Sequence, residues 1–154
     1  MSNPIKRDPA IRPLSRDHHH GLLLCWKIRR GFLKGISPER MKVYTDWFYK
    51  THLIEHFEIE EEYVFPVLGN DNELVKQALK EHKILEKLFK NNNIPDLESS
   101  LKQISEELEK HIRFEERVLF NKIQTAATDE ELEKIRKHHK DEKFCENSED
   151  EFWI

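Results

Sequence analysis

The chain has few of the residues that interrupt or cross-link a fold. Its 154 residues include 4 glycines, 6 prolines and 2 cysteines. Cys25 and Cys145 are too few for a disulfide framework or an iron–sulfur cluster, and they favour a reducing cytoplasm. No segment shows the alternation of apolar and polar residues that is typical of a half-buried strand. These absences favour an all-α protein.

Long apolar runs and an excess of positive charge are also lacking. No apolar run reaches the roughly 18 residues that a membrane span needs. Residues 1–17 lack the apolar stretch of a secretory signal. The net charge is -4, which gives no electrostatic reason to expect a nucleic acid or an anionic membrane as partner. A protein partner is left open.

Charged residues make up 36% of the chain and apolar residues 37%, a balance that suits a helical bundle with solvated outer faces. Capping and breaking signals divide the chain into an N-terminal arm, four long helices and a short fifth. The predicted helices run from Ser15 to about Lys34, Ser37-Pro38 to about Phe65, Glu73 to Lys90, Pro95-Asp96 to about Gln124, and Thr128 to about Lys140.

Short connections between these helices predict an up-down-up-down four-helix bundle over residues 15–124 with a short additional C-terminal helix over 128–140. Residues 1–14 are predicted to be an extended arm. Residues 141–154 are predicted to be a loose acidic tail in which Phe152 and Trp153 can dock.

The unusual count is nine histidines, and several of them stand where a helical core normally has leucine. In the fourth helix, continuing the apolar spacing beyond Leu108 gives His111 and Glu115. An unpartnered buried carboxylate is costly, so it needs a cation or a hydrogen-bond network. A metal shared between helices would satisfy several such groups together.

The other three helices supply matching residues. His52, His56 and Glu60 form one stripe of the second helix at i, i+4 and i+8. His82 occupies a core position of the third helix. His18 lies on the apolar face of the first helix, although the neighbouring His19 is an alternative. The nearby acids are expected on solvated faces or in ion pairs with lysine and arginine: Glu55, Glu58, Glu61, Glu62 and Glu116.

Imidazole and carboxylate donors suit iron, manganese or zinc better than calcium or magnesium. Glu60 and Glu115 can bridge two cations while histidines fill the outer positions. The sequence therefore predicts a site for two non-haem iron ions, with zinc or manganese as alternatives. His52 is predicted to be either a ligand or a residue that orients His56 or Glu60.

At this point the chain resembles the hemerythrin-like family, the HHE cation-binding domain. The matching motifs are LSRDHHHGLLL at 14–24, HLIEHFEIEEEYVFP at 52–66, Glu-His at 81–82 and HIRFEERVLF at 111–120. The resemblance implies a four-helix bundle that binds two irons and reacts reversibly with dioxygen, and sometimes with nitric oxide. By position, it implies ligand roles for His18, His56, His82, His111, Glu60 and Glu115.

The chain also departs from the invertebrate hemerythrin pattern, which has a second histidine on the third helix and an aspartate five residues after the fourth-helix histidine. Here the third-helix positions hold Ala78 and Glu86, and the carboxylate is Glu115, four residues after His111. His52 is then a candidate for the fifth nitrogen.

We therefore expect a small cytoplasmic protein that binds dioxygen or nitric oxide for sensing, storage or scavenging, more a binding protein than a turnover enzyme. The alternatives are a di-iron oxidoreductase, an iron-handling or iron–sulfur repair protein, and a metal-stabilised structural bundle.

Overall fold

The computed structural model describes residues 6–139 and 143–154, and these residues are helical or lie in connecting loops, with no strand among them. The helices are α1 (Arg12–Leu33), α2 (Pro38–Phe48), α3 (Ile54–Ile59), α4 (Glu73–Lys90), α5 (Leu97–Phe114), α6 (Phe120–Ala126) and α7 (Asp129–His138). The all-helical prediction is confirmed.

Three π-helical turns interrupt the α-helices without ending them. Tyr49–Leu53 joins α2 to α3, Glu60–Val64 follows α3, and Glu115–Leu119 joins α5 to α6. Short 3₁₀ turns lie at Phe65–Val67 and Ile94–Asp96. A π turn holds more residues than an α turn and is frequent at functional sites. Two of these three turns begin at a predicted site glutamate.

The start of the first helix differs from the prediction. α1 begins at Arg12, without a side-chain cap, and Pro13 lies in its first turn. Proline suits that position because its fixed φ matches the helix and its missing N–H is not needed there. Ala10, Ile11 and Leu14 are at most 3% exposed, so this segment packs against the core. Ser15 therefore lies inside the helix and does not cap it.

Other predicted helix ends are confirmed by their capping contacts. Ser37 accepts a hydrogen bond from the backbone N–H of Arg40 at the start of α2. Thr128 and Glu131 form the predicted capping box of α7. The bounds predicted for the third helix are those of α4. Gly35 follows α1 with φ at +72°, a conformation that glycine adopts without steric cost.

Two apolar clusters fill the interior, and each long helical segment contributes to both. On α1, Leu24 belongs to one cluster and Leu14 to the other, and His18 lies between them. On α4, Leu85 belongs to the first of these clusters and Ala78 to the other, on either side of His82. The histidines thus lie in a polar layer between two apolar ones. α5 contacts α1, α4 and α2, which places this layer inside the packed helices.

The acidic C-terminal segment, residues 143–154, docks against α1 and α2. Phe152 is 1% exposed and belongs to the same apolar cluster as Met41. A Cβ on Gly31 would overlap Met41 and contact Phe152, so glycine permits this approach. The predicted docking of Phe152 is confirmed. Among the helices in the described ranges, none has the length and apolarity of a membrane span.

Candidate metal centre

Six of the seven predicted metal ligands come together in the polar layer. α1 supplies His18, α3 supplies His56, α4 supplies His82 and α5 supplies His111. Glu60 and Glu115 are the first residues of two π turns. All six are at most 3% exposed. Of the two alternatives on the first helix, His18 is buried and the neighbouring His19 is exposed.

The six residues form two overlapping groups of four. The first quartet is His18, His56, Glu60 and Glu115, and the second quartet is Glu60, His82, His111 and Glu115. Each residue offers one ligand atom, and within a quartet these atoms lie within 4.8 Å of one another. Both glutamates belong to both quartets, so the two groups share their carboxylates and these buried residues could hold metal.

The distances show that each glutamate lies between histidines of the two quartets. Oε1 of Glu60 is 3.2 Å from Nε2 of His56 and 3.1 Å from Nε2 of His82. Oε1 of Glu115 is 3.0 Å from Nε2 of His18 and 3.2 Å from Nε2 of His111. All four histidines thus turn the same ring nitrogen toward the shared carboxylates.

Several of these buried atoms lack a hydrogen-bond partner within the described part of the chain. They are both carboxylate oxygens of Glu60, Oε2 of Glu115, and Nε2 of His82 and of His111. Buried polar atoms are normally hydrogen-bonded, and each exception costs roughly 1–3 kcal/mol. The unpaired atoms belong to ligand-type groups that converge, so the residues fit a bound metal.

A carboxylate from another helix lies beside the outer ring nitrogen, Nδ1, of every histidine. The pairs are His56 with Asp17 at 2.9 Å, His82 with Glu61 at 2.8 Å, His111 with Glu81 at 2.8 Å, and His18 with Glu116 at 3.3 Å. For His56, His82 and His111 the pair is hydrogen-bonded, and such a carboxylate fixes the ring orientation and makes the inner nitrogen a better ligand.

The charges of the site are mutually stabilising. Burial lowers the pKa of His111, but the charge of the nearby Glu115 and the hydrogen bond to Glu81 outweigh burial and raise the pKa to about 10. His56 shows the same balance, with its pKa raised well above 6.5. Burial raises the pKa of Glu115, but His111 and His18 lower it well below 4.5. A metal must therefore displace protons to bind here.

His52 does not join either quartet. Its half-buried ring packs against Trp47 and Phe144, with centroids 5.2 and 4.7 Å away. His52 lies within the π turn Tyr49–Leu53, which has more residues per turn than an α-helix. Because of this turn, i, i+4 spacing from His56 does not bring His52 into either quartet, and its role as a ligand or an orienting residue stays a prediction.

Aromatic rings cover the histidines unevenly. Phe57 stacks on His82 with centroids 3.9 Å apart, and Phe65 lies 5.3 Å from the same ring. Phe120 stacks on His18 at 5.1 Å. His56 instead forms part of the wall of a cavity of about 120 Å³. Phenylalanines therefore pack on one histidine of each quartet, and the first quartet also adjoins open space through His56.

The four acids that pair with the histidines were missed as site residues. Glu61 and Glu116 were assigned to solvated faces or ion pairs with basic residues, although Glu61 contacts His82 and Glu116 contacts both Arg7 and His18. A signal was present, because each acid directly neighbours a quartet residue in sequence. The four neighbouring pairs are Asp17-His18, Glu60-Glu61, Glu81-His82 and Glu115-Glu116.

Comparison of the chain with protein-family models, with curated proteins and with solved structures gives no match. The resemblance to hemerythrin-like domains therefore rests on the motifs quoted above.

Proposed function

We propose that this chain is a four-helix, non-haem di-iron protein that binds dioxygen or nitric oxide. The observation that carries the proposal is the sharing of two buried glutamates, Glu60 and Glu115, by two histidine pairs. Two cations held close together need carboxylates that can bind both of them, and the shared glutamates have this arrangement.

The donor set supports iron over zinc. Each position is offered two imidazoles and one oxygen from each glutamate, which makes four protein ligands. Four ligands would complete the tetrahedral coordination that zinc prefers in structural sites. Iron commonly takes more ligands, so the same four would leave room for a small molecule. Neither quartet contains a cysteine.

The residues would have four different roles. Glu60 and Glu115 would bridge the two ions, and the four histidines would hold them from outside. The acids beside Nδ1 would keep the rings in place. Phe57 and Phe120 stack on ligand histidines and would limit the access of water. Two ferrous ions held in this way would supply electron-donating centres that can bind dioxygen or nitric oxide.

A di-iron oxidoreductase is the second candidate, and one observation favours it. The structure brings together four histidines, not five, because His52 lies elsewhere. With four protein ligands at each position, both ions would have free coordination positions. That openness favours repeated turnover over the storage of one bound molecule.

The experiment is anaerobic loading with ferrous iron, a metal count, and a visible absorption spectrum as dioxygen is admitted. We expect two irons per chain, one for each quartet. A band that appears with dioxygen and fades on its removal would support a binding protein, whereas continuous consumption of dioxygen and a reductant would support the oxidoreductase. No iron uptake, or one tightly held zinc, would disprove both.

The matched variants are Glu115→Gln and His52→Ala. Glu115 belongs to both quartets, so its replacement should abolish loading of the pair. His52 lies outside both quartets, so its replacement should leave two irons per chain. Loss of iron from the His52→Ala protein would mean that the ligand set is wrong.

A further inference from the structure

The cavity beside the first quartet has imidazole and carboxylate groups in its wall. They include His20, His52, His56, His139, Asp17 and Glu55. Its volume of about 120 Å³ exceeds the roughly 10–15 Å³ that one water requires, so it can take a hydrated ion. Of these six residues, only His56 belongs to a quartet.

Asp17 is the centre of a third group of ligand-type residues. Its Oδ2 lies 2.9 Å from Nδ1 of His56 and 2.6 Å from Nε2 of His139. The three ligand atoms lie within 4.8 Å of one another. Two imidazoles and a carboxylate suit zinc, iron and related divalent metals. The Asp17 side chain is 37% exposed and that of His139 is 11% exposed, so solvent reaches this group.

We infer that Asp17, His56 and His139 form a third divalent-cation site, which loads metal into the buried pair. The role in loading rests on the proposed function, because it requires a pair to load. The quartet residues are at most 3% exposed, and a metal site needs a path from solvent. The cavity shares a wall residue, His56, with the first quartet, so it offers a path from solvent to one of that quartet's ligands.

His56 couples the third site to the pair, since one of its nitrogens faces each of them. Nε2 lies near His18 and Glu60, whereas Nδ1 lies near Asp17. When Nε2 binds a metal, Nδ1 keeps the ring proton and donates it to Asp17. The third site then loses one ligand. It therefore holds a cation best while the first quartet is empty and releases it once that quartet fills.

The charge around the cavity keeps the third site weak. Glu55 adds a negative charge to the wall, but Arg16 and Lys143 line the same cavity and oppose a bound cation. Three protein ligands converge among the residues that the structure describes, so water would complete the coordination. A weak site with solvent access suits the transfer of metal better than its storage.

The first test follows Co²⁺ uptake by visible absorption in the full chain and in two matched variants. His139→Ala removes a ligand of the third site. His138→Ala removes its neighbour, which stacks on Tyr63 and does not line the cavity. We expect His139→Ala to slow uptake about tenfold or more, with two ions bound at equilibrium, and His138→Ala to load at the original rate. Equal rates in all three proteins would overturn the inference.

The second test separates this inference from the proposed function. A Glu60→Gln, Glu115→Gln double variant lacks both shared carboxylates and should still bind one Co²⁺ weakly. Adding His139→Ala should abolish that binding. If the original chain binds two ions and the double variant binds none, the third site is wrong while the pair stands. If the original chain binds only one weak ion, lost in His139→Ala, the pair is wrong while the third site stands.

Discussion

The two quartets have the same donors and different surroundings. Each contains two histidines and the same two glutamates, and each histidine has a carboxylate beside Nδ1. The second quartet is closed by Phe57 and Phe65, which lie 3.9 and 5.3 Å from the His82 ring. The first quartet borders the cavity through His56. Ligand chemistry therefore makes the two positions alike, and packing makes one of them easier to reach.

If each quartet holds a metal ion, as proposed, this difference predicts different behaviour of the two ions. Ligand exchange should occur at the first quartet, where a small molecule can approach from the cavity. The second quartet should hold its ion more firmly, because stacked rings exclude water and restrict the movement of His82. Substitution of a shared glutamate should affect both quartets, whereas substitution in the cavity wall should affect the first quartet alone.

The largest effect is expected from Glu115→Ala, because Glu115 is fully buried and serves both quartets. Both metal positions should be lost together. In the metal-free protein, His111 and His18 would lose their buried partner, at a cost of about 3–5 kcal/mol in the free energy of unfolding. A metal count and urea unfolding check both expectations. Loss of only one metal would show that the quartets are separate sites.

Glu116→Ala is the matched control for this variant. Glu116 neighbours Glu115 in sequence but is 25% exposed and contacts only the outer nitrogen of His18 within the site. It should retain two metals, with weaker binding at the first quartet.

A second prediction concerns pH and tests whether the quartets are alike in charge. The folded state raises the pKa of His111 to about 10 and that of His56 well above 6.5. These groups stabilise the metal-free protein fully below pH 6.5, and the stabilisation is lost as pH rises toward 10. The slope is about 1.4 kcal/mol per pH unit for each proton involved.

Glu115 acts in the opposite direction. Its pKa is lowered, so its stabilisation is present above pH 4.5 and is lost as pH falls through the folded-state pKa. Metal-free stability should therefore be greatest near pH 4.5–6.5, and the stabilisation by added metal should grow with pH. Urea unfolding with and without chelator measures both. Stability that rises between pH 6.5 and 9 without metal would contradict this charge balance.

The smallest effect is expected at the cavity wall. A chelator should remove metal in two phases, with the first-quartet ion leaving first. Phe144 lines the cavity and stacks on His20 with centroids 4.0 Å apart. Phe144→Ala should speed the fast phase several-fold and leave the slow phase unchanged. Trp26→Ala, at a 51% exposed position outside the cavity, is the control. A single phase in all three proteins would mean that the quartets are equally accessible.

Features set by local sequence were predictable. The Asn72 cap and the asparagines after Lys90 define α4, and the Thr128–Glu131 box defines the start of α7. His56 and Glu60 share a regular helical stretch, so i, i+4 spacing placed them on one face. The same spacing placed His111 with Glu115, because the π turn begins only at Glu115.

Features set by tertiary packing were not predictable in the same way. His52 falls in a π turn that helical spacing does not reveal. The neighbouring Glu60 marks Glu61 as close to the site, but the contact of Glu61 with His82 joins two helices and is set by their packing. The first helix starts earlier than predicted because Ile11 and Leu14 are buried in the core, so packing and not a capping residue sets its start. The up-down-up-down order of the helices remains a prediction.

The pairing of acids with imidazoles has a consequence for the order of assembly. Some metal-binding domains stay unfolded until their ion arrives, because their ligands cannot be buried without it. Here protons can serve as temporary occupants, since protonated histidines and carboxylates neutralise each other in the interior. The chain can therefore complete its fold first and exchange those protons for metal later. If folding comes first, the metal supply would determine when the site is filled, and the chain would be folded whether or not metal is present.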